Sequence, residues 1–258
     1  MRFVVTTTQS QEDISPGLKE FIDQTGFDFV PRRRRGLTDL AWEQGAAGVI
    51  VWESGGPVLY IQGEKLFFHP SMAKSRIAAY RKKGQEDLLI KACQLQPGCS
   101  FLDCTLGMGA DAIVASYFSQ TGRITGLESE AAAAAVIGWG MKMYGGRITW
   151  LNQAINRIEV VNYDHLNYLP QLPALSYDIV YFDPMFQQPL LQSQPLSPLR
   201  KLANPQPLDP AAIEQACRVS RSRVVLKTQA ASGEIERLGF RRVPGSRHNP
   251  IIYGVIDI

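Results

Sequence analysis

From residue 97 onward, short apolar runs alternate with stretches whose apolar residues return every three or four positions. Ser100 to Asp103, Arg123 to Glu128, Ile158 to Asn162, Asp178 to Asp183 and Arg223 to Lys227 read as strands. The run ending at Asp183 is almost continuously apolar, as expected of a strand covered on both faces. Ala110 to about Phe118, Ser129 to about Met143, Ala211 to Val219 and Ser232 to Leu238 read as helices. Strand–helix alternation of this kind predicts a doubly wound α/β sheet. Two final runs, Phe240 to Val243 and Ile251 to Ile256, flank Pro244-Gly245-Ser246. They predict a terminal β-hairpin that inserts an antiparallel strand and brings the sheet to seven strands.

The N-terminal third has a different rhythm. Arg2 to Thr7 reads as a strand. Ser15-Pro16 marks a helix start, with Leu18, Phe21 and Ile22 on one face and Gly26 as its stop. Phe27 to Val30 is a short strand, Leu37 to Gly45 a helix, and Ala47 to Glu53 with Pro57 to Gln62 a hairpin around Ser54-Gly55-Gly56. Residues 1–66 therefore predict a small α+β unit. Residues 67–96 read as a linker segment with a leading helix, Glu86 to Leu95, and residues 97–258 as the main domain. Gln187 to Pro210 is proline-rich and too long for a plain connection.

Composition narrows the class. The 258 residues are 45% hydrophobic and 20% charged, as in a soluble globular protein. No apolar run approaches the roughly 18 residues that span a bilayer, and Met1-Arg2-Phe3-Val4-Val5 does not begin a signal peptide. Four cysteines without C-x-x-C spacing fit a reducing cytoplasm. Three scattered histidines give no metal site. The net charge of +3 is mild, but its placement is uneven. Arg32-Arg33-Arg34-Arg35 is one run; Lys74, Arg76, Arg81, Lys82 and Lys83 form a second; Arg218, Arg221, Arg223, Lys227, Arg237, Arg241, Arg242 and Arg247 form a third. Such runs are often solvated surface; three of them favour a polyanionic partner, RNA or DNA. Phe67-Phe68-His69, next to Lys74 and Arg76, fits either linker packing or a platform for an unstacked base.

The chemistry centres on Asp103-Cys104-Thr105-Leu106-Gly107-Met108-Gly109. Here a strand end, a glycine turn and a helix start meet, and Asp103, Thr105, Gly107 and Gly109 frame the bend. An acidic residue before the glycines repels a pyrophosphate and favours a cationic ligand. S-adenosylmethionine (SAM), with its amino group, fits better than NAD. Glu128, about 25 residues after Asp103, is placed to accept ribose hydroxyls. Asp164, in Asn162-Tyr163-Asp164-His165, is placed to accept an adenine amino hydrogen. Asp183-Pro184-Met185-Phe186 is the most specific feature. A strand-end carboxylate, a proline-stiffened turn with a free carbonyl and an aromatic ring would hold a planar amine: Asp183 and Pro184 accept its hydrogens and Phe186 stacks on its ring. Each of these segments also fits an ordinary loop at a strand end.

The pattern Asp103-x-Thr105-x-Gly107-Met108-Gly109-x-Asp111-Ala112, with Leu127-Glu128, Val180-Tyr181-Phe182-Asp183-Pro184-Met185-Phe186 and Arg223-Val224-Val225-Leu226-Lys227, resembles the RsmJ family. The resemblance covers roughly residues 66–258. It implies a class I (Rossmann-like) SAM-dependent methyltransferase acting on guanine N2 of small-subunit ribosomal RNA in the cytoplasm, without a metal. It also implies that Ala110, Asp111, Glu128, Ser129, Asp164, His165 and Asp183 line the SAM site. The proline- and glutamine-rich Gln187 to Pro210 and the first 65 residues depart from that family. Other readings are a methyltransferase for a DNA or protein amine, a non-catalytic RNA-binding protein and an NAD-dependent oxidoreductase. Asp183-Pro184 disfavours the second; Asp103 and the terminal hairpin disfavour the third.

Overall fold

The computed structural model describes residues 1–9, 13–185, 197–202, 206–244 and 250–258. Backbone packing groups the chain into two units. One holds Met1–His69, Glu130–Gly145 and Leu191–Ala203; the other holds Pro70–Ser129, Gly146–Leu190 and Asn204–Ile258.

The first unit begins with β1 (Phe3–Thr7), α1 (Pro16–Thr25), β2 (Asp28–Phe29), α2 (Leu37–Glu43), β3 (Gly48–Glu53), β4 (Gly56–Ile61) and β5 (Glu64–Leu66). Its sheet runs β2-β1-β3-β4-β5. β1 is parallel to β2 and β3, while β4 pairs antiparallel with β3 and β5. The helix start read from Ser15-Pro16 is present: the Ser15 hydroxyl accepts the Leu18 N–H at 3.3 Å, and Gly26 closes α1 at φ +71°. Leu40 of α2 packs on Val4, Val49 and Val51. β5 escaped the sequence reading because three residues carry no periodicity.

The remaining elements are α3 (Ser71–Lys83), α4 (Leu88–Cys93), β6 (Phe101–Asp103), α5 (Ala110–Ser119), β7 (Ile124–Glu128), α6 (Ala131–Met143), α7 (Thr149–Asn156), β8 (Ile158–Asn162), α8 (His165–Tyr168), β9 (Tyr177–Phe182), α9 (Ser197–Leu202), α10 (Pro210–Val219), β10 (Ser220–Gln229), α11 (Glu234–Arg237), β11 (Arg241–Arg242) and β12 (Ile251–Asp257). The second unit's sheet runs β11-β12-β10-β9-β6-β7-β8. β6 to β10 pair in parallel, and β12 lies antiparallel between β10 and β11. This is the doubly wound seven-stranded sheet with its inserted antiparallel strand. Residues 245–249 at the hairpin tip lie outside the described residues, as does most of the proline-rich segment. The core of this unit gathers Leu102, Leu127, Val180, Phe182, Val224 and Leu226 from four strands.

β5, α7 and α8 add elements to those read from the sequence, and two further features differ from it. Residues 71–83, read as linker, form α3. Only Ala73 and Ile77 of that helix are buried, so it lacks the broad apolar stripe that marks an amphipathic helix. The segment 130–145, read as part of the main domain, groups with the first unit instead. The reason is aromatic packing and small residues on α6. Trp139 meets Trp52 and Phe21 with ring centroids 5.7 and 5.5 Å apart. Gly140 lies so close to Phe68 that a Cβ there would sit 2.3 Å from Phe68 Cβ.

Candidate active site

The site is built at the carboxyl ends of the parallel strands, where open α/β sheets bind ligands. Asp103 ends β6. Beyond it the backbone threads between two neighbouring strands: Cys104 N–H donates to Tyr181 O and Leu106 N–H to Leu127 O, both at 2.8 Å. Asp103 Oδ1 accepts the Thr105 N–H at 3.0 Å, and the Thr105 hydroxyl oxygen accepts the Asp183 N–H at 2.6 Å. Thr105 thus joins the ends of β6 and β9. The glycines follow for a conformational reason. Gly107 and Gly109 adopt φ +50° and +73°, a region where a Cβ is strained. Gly109 N–H donates to Leu106 O at 2.7 Å, and α5 starts at Ala110.

Behind the turn lies a buried charge network. Asp111 Oδ1 accepts from the Arg76 guanidinium at 2.5 Å. Asp111 Oδ2 accepts from Lys227 Nζ and from the Tyr181 hydroxyl, each at 2.9 Å. Lys227 Nζ also donates to Asp183 Oδ2 at 2.7 Å. Arg76 is held from its other side by Asp87, whose two oxygens accept at 2.8 Å. Asp87 in turn caps α4 through the Leu89 N–H. The network separates three carboxyls electrostatically. Burial pushes Asp103 up, and neighbouring Asp111 and Asp183 add to it, against the opposing pull of the Thr105 N–H and Lys227. Burial alone would also raise Asp111, but Lys227 and Arg76 outweigh it and hold the carboxyl well below its usual range. Asp183 is pushed up to about 6 by burial, against the pull of Lys227 and with the repulsion of Asp111. Lys227 itself is held protonated: Asp111 and Asp183 overcome the cost of its burial.

The structure brings Asp103, Thr105, Gly107, Gly109, Ala110, Asp111 and Asp183 into one neighbourhood. Asp103 is closed off, at 1% exposure, and the Asp111 side chain is fully engaged by Arg76, Lys227 and Tyr181. Asp183 keeps 24% of its side chain exposed, and among the described residues no hydrogen bond claims its Oδ1. Glu128 and Ser129 lie at the end of β7 beside β8, where Asn162 Nδ2 donates to both of their carbonyls at 2.8 and 3.2 Å. Asp164 caps α8, accepting the Leu166 N–H at 2.9 Å. His165 stands edge-on to Phe182 of β9 at 5.5 Å between centroids, and burial lowers its pKa. Pro184 and Met185 continue from Asp183. Phe186 lies outside the described residues.

The basic clusters serve the fold more than their spacing suggested. Arg76, read as part of a polyanion-binding group, faces inward to Asp87 and Asp111. Arg218 donates to the carbonyls of Leu172 and Leu169. Arg221 pairs with Asp178, Arg223 and Arg241 with Asp257, and Arg237 with Glu234. Phe68 packs on Gly140 and Tyr144, as linker packing requires, whereas Phe67 stays 45% exposed beside His69. Lys227 and Arg76 were present in the sequence as basic residues of two tracts, and nothing in their spacing set them apart. The pairing of Leu226 with Phe182 across β10 and β9 is what carries Lys227 to Asp183.

Comparison with known proteins agrees with this architecture. Residues 66–238 match a family model described as "Putative SAM-dependent methyltransferase". The chain is 40% identical over 197 residues to the uncharacterized protein YpiP of Bacillus subtilis (strain 168), covering 76% of each. It is 30% identical over 106 residues to ribosomal RNA small subunit methyltransferase J of Acinetobacter baumannii (strain ACICU), a match spanning 40% of this chain and 37% of that one. A solved SAM-dependent methyltransferase from Neisseria gonorrhoeae shares the fold, with a TM-score of 0.60 at 19% identity over 97% of this chain and 94% of that one.

Proposed function

The chain belongs to the SAM-dependent methyltransferase family, and from that premise we propose that its acceptor is an exocyclic amine on RNA, specifically guanine N2 of small-subunit ribosomal RNA. SAM is the cofactor. The residues fit it. The left-handed glycines, Glu128 at the end of β7 and Asp164 just beyond β8 form an acceptor-rich cradle, with Asp103 buried beneath the turn and holding it through Thr105; it is suited to an amino group and ribose hydroxyls and unsuited to a pyrophosphate. Asp103, Thr105, Gly107, Gly109, Ala110, Asp111, Glu128, Ser129, Asp164 and His165 would hold the cofactor; Asp103 contributes by fixing the turn, because its carboxyl is closed off against the Thr105 N–H, and Asp111 through its backbone, because its carboxylate is spent on Arg76 and Lys227. When bound, SAM supplies an electrophilic methyl group on a sulfonium.

One observation carries the amine reading: Asp183 is fixed from two sides, and among the described residues no hydrogen bond claims its second carboxylate oxygen. Thr105 accepts its N–H and Lys227 grips Oδ2. Oδ1 is then available to accept an N–H from a flat amine, with the Pro184 carbonyl as second acceptor and Phe186 as the stacking ring. A guanine amine is a weak nucleophile because its lone pair is delocalised into the base. Two acceptors on its hydrogens orient that lone pair and leave a place for the proton released when nitrogen gains the methyl. Orientation and electrostatics in a dry site supply most of the rate enhancement for such a step. A base must leave its stack to enter such a pocket, at a cost of a few kcal/mol. The partial identity with a ribosomal RNA small subunit methyltransferase supports RNA over DNA or protein.

The test offers methyl-labelled SAM to ribosomal RNA, DNA and protein fractions. Label in small-subunit RNA as N2-methylguanine is expected. Label confined to DNA or protein would overturn the RNA assignment while leaving the amine chemistry in place.

A further inference from the structure

The arginine run of the first unit forms a turn with an unusual conformation. Arg35 N–H donates to Arg32 O at 3.0 Å, and the two central residues, Arg33 and Arg34, both have positive φ, +46° and +62°. A turn with positive φ at both central positions is the natural place for Asn-Gly. Two arginines there hold a strained backbone, which persists only where surrounding contacts fix it. Those contacts come from the outer pair. Arg32 Nε donates to Arg35 O at 2.7 Å, and Arg35 Nε donates back to Arg32 O at 3.2 Å. Arg35 further donates to Pro31 O at 2.5 Å and to Glu43 at 2.6 Å. Arg32 and Arg35 thus spend their guanidiniums building the turn. Arg33 and Arg34 are exposed and make no hydrogen bond or ion pair with any described residue. The Arg35–Glu43 bridge ties the turn to the end of α2, next to Trp42, whose side chain is 84% exposed.

We infer that this turn and Trp42 form a docking element for single-stranded RNA. Arg33 and Arg34 take successive phosphates, and the Trp42 indole stacks on an unpaired base. Guanidiniums for phosphate and an aromatic face for a base are the two components of single-strand binding. An anionic bilayer fits less well, since Trp42 is the one large apolar side chain that α2 exposes and a lone ring gives no apolar face to sink into lipid. The element rests on the reading of the acceptor as RNA. It answers what the first unit contributes, which the methyl-transfer site does not.

The test measures binding of a fluorescein-labelled 20-nucleotide single-stranded RNA to the full chain by anisotropy, without SAM, across a salt series. Arg33→Asn/Arg34→Gly is expected to raise the melting temperature, because it relieves the turn, and to weaken RNA binding about tenfold. The slope of log affinity against log salt should become shallower by about 1.4, the equivalent of two phosphates at about 0.7 each. Trp42→Ala should weaken binding at least about fivefold with the slope unchanged. If the wild-type chain binds RNA and both variants bind it equally well, the docking element is wrong and the RNA reading stands. If the wild-type chain does not bind RNA at all, both fail. Loss of binding to phosphatidylglycerol vesicles in these variants, with RNA binding intact, would assign the surface to lipid and overturn the inference.

Discussion

Lys227 Nζ lies 2.7 Å from Asp183 Oδ2, so the carboxylate assigned to the acceptor amine is already held by a buried cation. The same ammonium reaches Asp111 in the first turn of α5 at 2.9 Å. One side chain on β10 therefore connects the end of β9 to the helix that follows the glycine turn. Lys227 positions Asp183 and keeps it ionised; it is not itself assigned to touch the substrate.

Asp183→Ala should cut methyl transfer by about 10²-fold or more, the scale of losing one key preorganised electrostatic group. SAM binding by calorimetry should change little, because the glycine turn and the β7 end remain. Full activity in this variant would remove Asp183 from the chemistry.

The pH dependence follows from the charge of Asp183. Its pKa is raised to about 6, and the ionised form is both the stronger acceptor of an amine hydrogen and the form able to take up the released proton. Turnover should therefore fall as pH drops through about 6. Lys227→Met removes the cation that opposes the rise, so the acid limb should move to higher pH by about one unit. A Lys227→Arg variant should keep the limb near its wild-type position. Single-turnover rates from pH 5 to 9 read both.

Asp111 makes the opposite contribution to stability. Its folded pKa is lowered, so its stabilisation is complete above the ordinary carboxylate value of about 3.9 and is lost as pH falls below it. Asp111→Asn leaves Arg76 and Lys227 facing a neutral group in a buried site. The expected cost at neutral pH is about 3–5 kcal/mol. Chemical denaturation should also show a variant whose stability changes less than wild type between pH 5 and pH 3.

Gly140→Ala tests the grouping of α6 with the first unit. The added Cβ would stand 2.3 Å from Phe68 Cβ, an atom too close to the backbone to swing away. A loss of about 1–3 kcal/mol is expected, typical of overpacking. Hydrogen exchange should show the loosening in β4 and α6. Unchanged stability would mean that α6 and the Phe68 segment do not pack as described.

The local sequence determined the strands, the glycine turn and the acidic residues at strand ends. Those follow from short-range physics: apolar runs bounded by turn residues, and positive φ at Gly107 and Gly109. The terminal hairpin was legible for the same reason. Tertiary structure decided which charges meet. Arg76 and Arg81 are spaced like residues on a solvated helix, yet Arg76 turns to Asp87 and Asp111 while Arg81 bonds Tyr117. Lys227 follows an ordinary apolar run within β10, and only the parallel register of β10 on β9 sets it against Asp183. Likewise, the alanine-rich composition of α6 specified a buried helix without specifying its partner. A residue's neighbours along the chain fix its backbone; the cations that neutralise Asp111 come from 35 and 116 positions away, one carried on α3 and the other on β10, and tertiary packing brings them within reach.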